Sequence, residues 1–337
     1  MIAAPSGDRS TGAIPVRGRR SDDNPLPEVP TLSESKVLTM REAVSRFVRD
    51  GDTVVLEGFT HLIPFAAGQE IIRQRRRDLT LVRLTPDLLM DQMVAAGTAR
   101  KLVFGWLGNP GVGSLHAVRR AVERGYPGPL EIEEYSHFGL LCRYKAAASG
   151  LPFFPLRGYR GTDLPRANAN LKQVACPFTG ETLDAVSALH PDVTIVNAQR
   201  ADAGGNTQIW GLVGAQREAA FAARRVIVVV EEVVPEDVVR ADPNRTQIPS
   251  VVVDAVVEEP WSAHPSFVQG YYDRDNAAYL AWDRITRDPA ELERYLDEWV
   301  HGLPDRSAYL ARLGEATRDR LRPGPRLAGP VDYGDYR

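Results

Sequence analysis

The chain has 337 residues, 43% hydrophobic and 25% charged, with a formal net charge of -3. That is the balance of a globular domain, and it excludes a nucleic-acid binder working through a net positive field. No run reaches the roughly 18 apolar residues of a membrane-spanning helix, and two distant cysteines, Cys142 and Cys176, argue against a disulfide scaffold or a cysteine-rich zinc site and fit a reducing cytoplasm.

Residues 1–35 hold five prolines and no Phe, Trp or Tyr. Such a segment buries too little apolar surface to offset its ordering entropy, so it is expected to be a disordered N-terminal tail. Asp8, Asp22 and Asp23 interrupt its arginines and no apolar segment follows Met1, which argues against a signal peptide. The folded domain is expected over residues 36–313. Thr39 and Glu42 form a capping box that opens a helix over 40–49, with Met40, Val44, Phe47 and Val48 on one face. A turn at 50–52 leads to a strand at 53–56, and Pro64 starts the next helix. Strands at 79–84, 101–106 and 130–134 then alternate with helices at 87–96, 114–123 and 138–148. The continuous apolar runs 193–196 and 226–230 predict strands buried on both faces, with a helix at 214–223 between them. After the apolar run 251–257 come three helices, 276–285, 290–300 and 307–318, the last running into a C-terminal tail, 314–337, that is expected to fray. The alternation predicts an α/β fold: an open, mostly parallel sheet with helices on both faces and a helical C-terminal extension.

In such sheets ligands bind at the carboxyl ends of the strands. Four loops there carry unusual residues. Glu57-Gly58-Phe59-Thr60-His61 follows the first strand, and Gly58 allows close backbone approach. Gly108-Asn109-Pro110-Gly111-Val112-Gly113-Ser114 has a glycine pattern without the lysine of an ATPase loop. Glu131 and Glu133 share one strand face, followed by Ser136 and His137; such residues can anchor a ligand but are more often solvated edge charges. Asp202 with Gly204, Gly205 and Asn206 reads as a turn. The six histidines show no metal-binding spacing and no GxSxG elbow occurs, so no metal site and no serine hydrolase of that type are expected.

Taken in order, several segments resemble the A (α) subunits of family I coenzyme A transferases. They include Asp50-Gly51-Asp52 through Pro64, the strands beginning at Asp78 and Arg100, and Gly108 to Leu115. Leu130 to Glu134, Ser149 to Phe153, Cys176-Pro177-Phe178-Thr179-Gly180-Glu181, Ala201-Asp202 with Gly205-Asn206, Val230 to Val233, and Ala263-His264-Pro265-Ser266 follow. Two positions depart: Glu57 stands where the family usually has glycine, and Gly105 where relatives often carry a small hydroxyl residue. The family's catalytic Ser-Glu-Asn-Gly motif, which lies on the B subunit, is absent. The resemblance therefore implies a chain with no catalytic residue of its own. It would be active only when paired with a B subunit, in a heterodimer, an α₂β₂ assembly or something larger. The resemblance also implies no permanently bound cofactor, coenzyme A esters as substrates, and transfer of CoA from succinyl-CoA to a 3-oxo dicarboxylic acid, 3-oxoadipate. Glutaconate and other 3-oxoacids remain alternative acceptors, and a hydrolase or ring-opening lyase of the same fold an alternative activity. Gly58, Phe59, Thr60 and His61 are expected to form one wall of the acyl pocket, and Asn109, Gly111, Gly113, Ser136 and His137 the other.

Overall fold

A computed structural model of the chain describes residues 35–323. The expected N-terminal tail lies outside the described residues except for Ser35. Chain order begins with α1 (Met40–Phe47), β1 (Thr53–Glu57), α2 (Phe65–Arg73), β2 (Leu79–Arg83), α3 (Leu88–Ala95), β3 (Ala99–Phe104), α4 (His116–Arg124), β4 (Glu131–Glu134) and α5 (His137–Ala148). These follow the expected alternation, with no boundary moved by more than two residues. The capping box is present: the Glu42 amide donates to Thr39 Oγ1 (3.2 Å) and the Thr39 amide to Glu42 Oε2 (2.9 Å). Asp87 caps α3 and Ser136 caps α5, each accepting an amide N–H that the first helical turn leaves unpaired.

Next come β5 (Phe153–Leu156), α6 (Leu164–Ala167), β6 (Leu171–Ala175), β7 (Thr182–Ser187), β8 (Val193–Ala201), β9 (Thr207–Gln208), α7 (Gln216–Ala222), β10 (Arg225–Val233), α8 (Glu236–Arg240), β11 (Thr246–Ile248) and β12 (Ala255–Glu258). The order β12-β10-β8-β1-β2-β3-β4 is parallel throughout, and β9 and β11 extend the outer end of β8 with antiparallel pairs. The chain lays β2, β3 and β4 on one side of β1, then returns to lay β8, β10 and β12 on the other. This makes the β1/β8 junction the topological switch point, where open α/β sheets bind ligands.

The strands alternate between two buried faces. Val54, Leu56, Leu81, Leu102, Ile195 and Ile227 pack on the side of α1–α4, while Val55, Val82 and Val103 pack on the α5 side and Val196 and Val228 on the α7 side. β-branched residues suit this doubly covered pleated surface.

Two parts differ from expectation. First, β5, β6 and β7 form a separate three-stranded antiparallel sheet, order β5-β7-β6, that packs Leu156, Leu171 and Val186 with Leu140 and Tyr144 of α5. Second, the C-terminal region is ordered further than residue 313. It comprises α9 (Asn276–Arg287), α10 (Pro289–Leu296), a π-helical turn (Asp297–His301), α11 (Arg306–Leu313) and α12 (Glu315–Leu321). Leu321 is buried and its carbonyl accepts from the Asp273 amide (2.7 Å), so the expected fraying does not begin at 314. The rest of that tail, 324–337, lies outside the described residues.

Candidate functional site

The candidate site lies at the carboxyl ends of β1 to β4. β1 ends on Glu57, which is 1% exposed. Its Oε1 accepts from the Leu84 amide (2.8 Å) and the Tyr144 hydroxyl (3.1 Å), and its Oε2 from the Gly58 amide (3.2 Å). Burial raises the Glu57 pKa even though the Arg83 charge and these bonds oppose it. The departure from glycine thus installs a buried strut between the first and second strand ends.

Arg83, at the end of β2, is fully buried. It donates from Nη1 to Asp87 Oδ1 (2.7 Å) and from Nη2 and Nε to the Gly58 carbonyl (2.8 and 3.2 Å). The loop then doubles back, with Thr60 and Leu62 in the left-handed region at φ 58° and 55°. Such values are strained for bulky side chains and persist only where surrounding structure holds them. Here Ser266 Oγ donates to the Thr60 carbonyl (2.9 Å) and the Leu62 amide to the Phe267 carbonyl (3.1 Å). Gly58 is required by crowding, because a Cβ there would lie 2.5 Å from the Leu62 carbonyl oxygen. Thr60 Oγ1 is buried without a hydrogen-bond partner among the described residues.

His61 does not face this space. It is wholly buried, its ring tilted 33° against that of Phe267 with centroids 4.7 Å apart. Nε2 accepts from the Gln269 amide (3.0 Å), which leaves Nδ1–H to donate to the Leu212 carbonyl (3.1 Å). Burial pushes its pKa down to about 4, so it is a neutral strut between two loops and not a wall of the pocket. The unfolded chain protonates His61 near 6.5, so its contribution is present above that pH and is lost as pH falls through 4. In urea melts, the stability gap between the natural chain and His61→Asn is therefore expected to shrink by about 3 kcal/mol from pH 7.5 to pH 4. A gap independent of pH would show that His61 is accessible to protons in the folded state.

The glycine loop is also structural. Asn109 is 2% exposed and donates from Nδ2 to the Tyr279 carbonyl (3.0 Å) of α9. Gly113 adopts φ 146° and leaves no room for a Cβ against the Asp283 carboxylate, which accepts from the Ser114 amide (3.1 Å). Asn109 and Gly113 are thus committed to the helical extension, while Gly111 shapes the turn at φ 77°. Asn109 thus staples the loop to α9 through Nδ2, while its Oδ1 is buried without a hydrogen-bond partner among the described residues.

His137 is placed differently. It is the first residue of α5 and exposed, with Nε2 3.2 Å from Thr85 Oγ1 and its ring edge-on to Phe59 at 6.1 Å. Partial desolvation lowers its pKa, so it is neutral at neutral pH. Gly105 explains itself here: a Cβ would lie 2.9 Å from the His137 Cα, so no hydroxyl residue fits. Ser136 is occupied as the helix cap, accepting from the Gly139 amide (3.0 Å) and contacting the Tyr159 hydroxyl (3.3 Å). On the other side of Phe59 stands Gly214, whose Cβ would lie 2.8 Å from the Phe59 Cβ. The mouth is therefore Phe59 and Thr60 flanked by His137, Thr85 and Gly105 on one side and the loop 211–214 on the other. Trp106, Phe138, Leu212 and Val213 from these same segments are 42%, 52%, 36% and 44% exposed. Sequence reading missed Thr85, Trp106 and the loop 211–214; only the paired glycines of Gly211-Leu212-Val213-Gly214 marked the last. Glu131 and Glu133 share a face as expected, but both pair with Lys101 Nζ (2.8 and 2.5 Å).

The sequence pattern of the family described as Coenzyme A transferase matches residues 37–259, most of the described chain. The chain belongs to the coenzyme A transferase family. Among its coenzyme A transferase relatives, the A-type chain of 3-oxoadipate CoA-transferase from Pseudomonas knackmussii is 54% identical over 281 residues, covering 83% of this chain and 99% of that protein. The crystal structure of glutaconate coenzyme A-transferase from Acidaminococcus fermentans superposes with a TM-score of 0.83 at 32% identity, covering 88% of this chain and 99% of that one. A decarboxylase, AibA/AibB, superposes with a TM-score of 0.67 at 29% identity, covering 78% and 100%. In this coenzyme A transferase chain the motif 263–266 lies behind the mouth. Ser266 holds the Thr60 carbonyl (2.9 Å), and His264 lies between the Tyr309 hydroxyl (2.8 Å) and Asp275 (3.2 Å). The turn at Asp202 accepts from the Asn206 amide (2.9 Å) and is likewise structural. Among the described residues no helix is long and apolar enough to cross a membrane, and no group of His, Cys, Asp and Glu is arranged to hold a metal ion.

Proposed function

We propose that this chain is the α (A-type) half of a heteromeric, cytoplasmic CoA-transferase that moves CoA from succinyl-CoA to 3-oxoadipate, with a B subunit supplying the nucleophilic glutamate. One observation carries the reading: the mouth has binding groups but no free nucleophile. Glu57 and Asp87, the carboxylates of the loops that build it, are 1% exposed and fully engaged in internal bonds. This supports a carboxylate supplied by another chain. The relative that is 54% identical over nearly its whole length, named for 3-oxoadipate, supports the acceptor and the role as one of two chains.

The reaction needs neither ATP nor metal, because one thioester replaces another. The partner's glutamate attacks the succinyl thioester carbonyl and expels CoA thiolate, leaving a mixed anhydride. The thiolate attacks the glutamyl carbonyl and releases succinate, giving a glutamyl–CoA thioester. The 3-oxoadipate carboxylate repeats the sequence in reverse and leaves as its CoA ester, restoring the glutamate. Each addition creates an oxyanion that fixed donors must stabilise. In this chain the N–H groups at the start of α5 and the neutral His137 would receive the acceptor's remote carboxylate, with Phe59 as the apolar floor. The unpartnered Thr60 hydroxyl belongs to the same loop and would take a bond when the complex closes.

A hydrolase or lyase of the same fold would need a carboxylate of its own near His137, where this chain has an imidazole. The test is to assay the chain alone and with its B subunit, using succinyl-CoA and 3-oxoadipate, and to reduce the charged enzyme with borohydride. CoA exchange is expected only with both chains, together with inactivation by the reductant.

A further inference from the structure

We propose that the β6–β7 hairpin is a docking finger for the nucleophile-bearing partner chain, with Phe178 as its anchor. This inference rests on the two-chain reading above. Phe178 is 93% exposed, far more than Trp106 or Phe138, and it stands at the tip of the turn 176–181. A fully hydrated phenyl ring at a turn contributes nothing to this chain's own fold and is the kind of aromatic group that anchors interfaces.

The finger is stiff. The Cys176 amide donates to the Glu181 carbonyl (2.8 Å) and the Gly180 amide to the Cys176 carbonyl (2.9 Å), closing the turn. Arg157 donates from Nε to Glu181 (3.0 Å), bracing the turn against the end of β5. A preformed tip loses little conformational freedom on binding, so more of the contact energy appears as affinity.

Its position selects the occupant. β5 runs back along α5, so the tip lies at the end where α5 begins. The Tyr159 amide donates to Asp184 of β7 (3.0 Å), while its hydroxyl contacts Ser136, the cap of α5, at 3.3 Å. The finger is therefore tied to the residue preceding His137 and stands at the same end of the molecule as the mouth. A chain that brings a glutamate to that mouth must lie across this end, beside Phe178. Trp106 and Phe138, beside Gly105 and His137 of the mouth, are also exposed.

The test is Phe178→Ser in the full chain, mixed with the B subunit. Because Phe178 is hydrated, the melting temperature of the isolated chain is expected to stay unchanged. The partner concentration giving half-assembly, read by sedimentation, is expected to rise about tenfold or more, with kcat at saturating partner within twofold of the natural complex. Unchanged assembly would overturn the proposal. So would a variant that converts self-associated copies of this chain to monomers without affecting partner binding, since the occupant would then be a second copy. Sedimentation reads assembly without reference to activity. Absence of transferase activity from an intact heteromer would therefore fail the functional reading and leave the docking result to stand on its own measurement.

Discussion

An Arg83→Met chain is expected to be about 3–5 kcal/mol less stable than the natural chain in urea melts, the usual cost of stranding one partner of a buried ion pair. Arg83 and Asp87 are 0% and 1% exposed, so neither finds water when the other is lost. The substitution also removes both donors to the Gly58 carbonyl, which otherwise hold a loop containing two left-handed residues, Thr60 and Leu62. Adding Asp87→Asn to Arg83→Met is expected to recover part of the loss, because the stranded charge is then neutral. A single variant within about 1 kcal/mol of the natural chain would mean that the loop is held by Ser266 and Phe267 alone.

The second large effect is expected at His137. In the assembled enzyme, His137→Ala should raise the KM for 3-oxoadipate about 10- to 100-fold, the worth of a hydrogen bond to a charged group. kcat should fall less, because the reacting carbonyl is held elsewhere. Desolvation lowers the His137 pKa, so the imidazole is neutral at neutral pH and above, where the natural KM should be flat. Asn109→Ala serves as the contrast: its side chain bonds the Tyr279 carbonyl, so it should lower the melting temperature and leave KM within threefold. If KM and kcat both stay within threefold for His137→Ala, the mouth does not bind the acceptor.

Most of the parallel sheet was legible in the sequence because its strands are uninterrupted apolar runs covered on both faces. Val226–Val230 is unmistakable for that reason. The end of β8 was not, since Asn197, Gln199 and Arg200 read as a loop; the structure buries Asn197 and Gln199 by bonding them to Ser262 Oγ (2.8 Å) and the Trp210 carbonyl (2.8 Å). The β5-β7-β6 sheet escaped because its strands are short and half exposed, with Pro155, Lys172 and Gln173 breaking the alternation. At the candidate site, the structure brings together Phe59 and His137, both singled out in the sequence, through residues that were not. Thr85, Gly105 and Gly214 reach the mouth from elements up to 155 positions from Phe59 in the chain, and such pairings leave no local pattern. His61 shows the converse: the residue type promised chemistry, but both of its nitrogens are spent on backbone partners.

The most direct test is reductive trapping of the assembled enzyme after incubation with succinyl-CoA in the absence of acceptor. Borohydride is expected to abolish activity and to leave a reduced glutamyl side chain on the partner, with the mass of the present chain unchanged. A modification on this chain, or turnover of succinyl-CoA by this chain without its partner, would contradict the assignment of the nucleophile to the second chain.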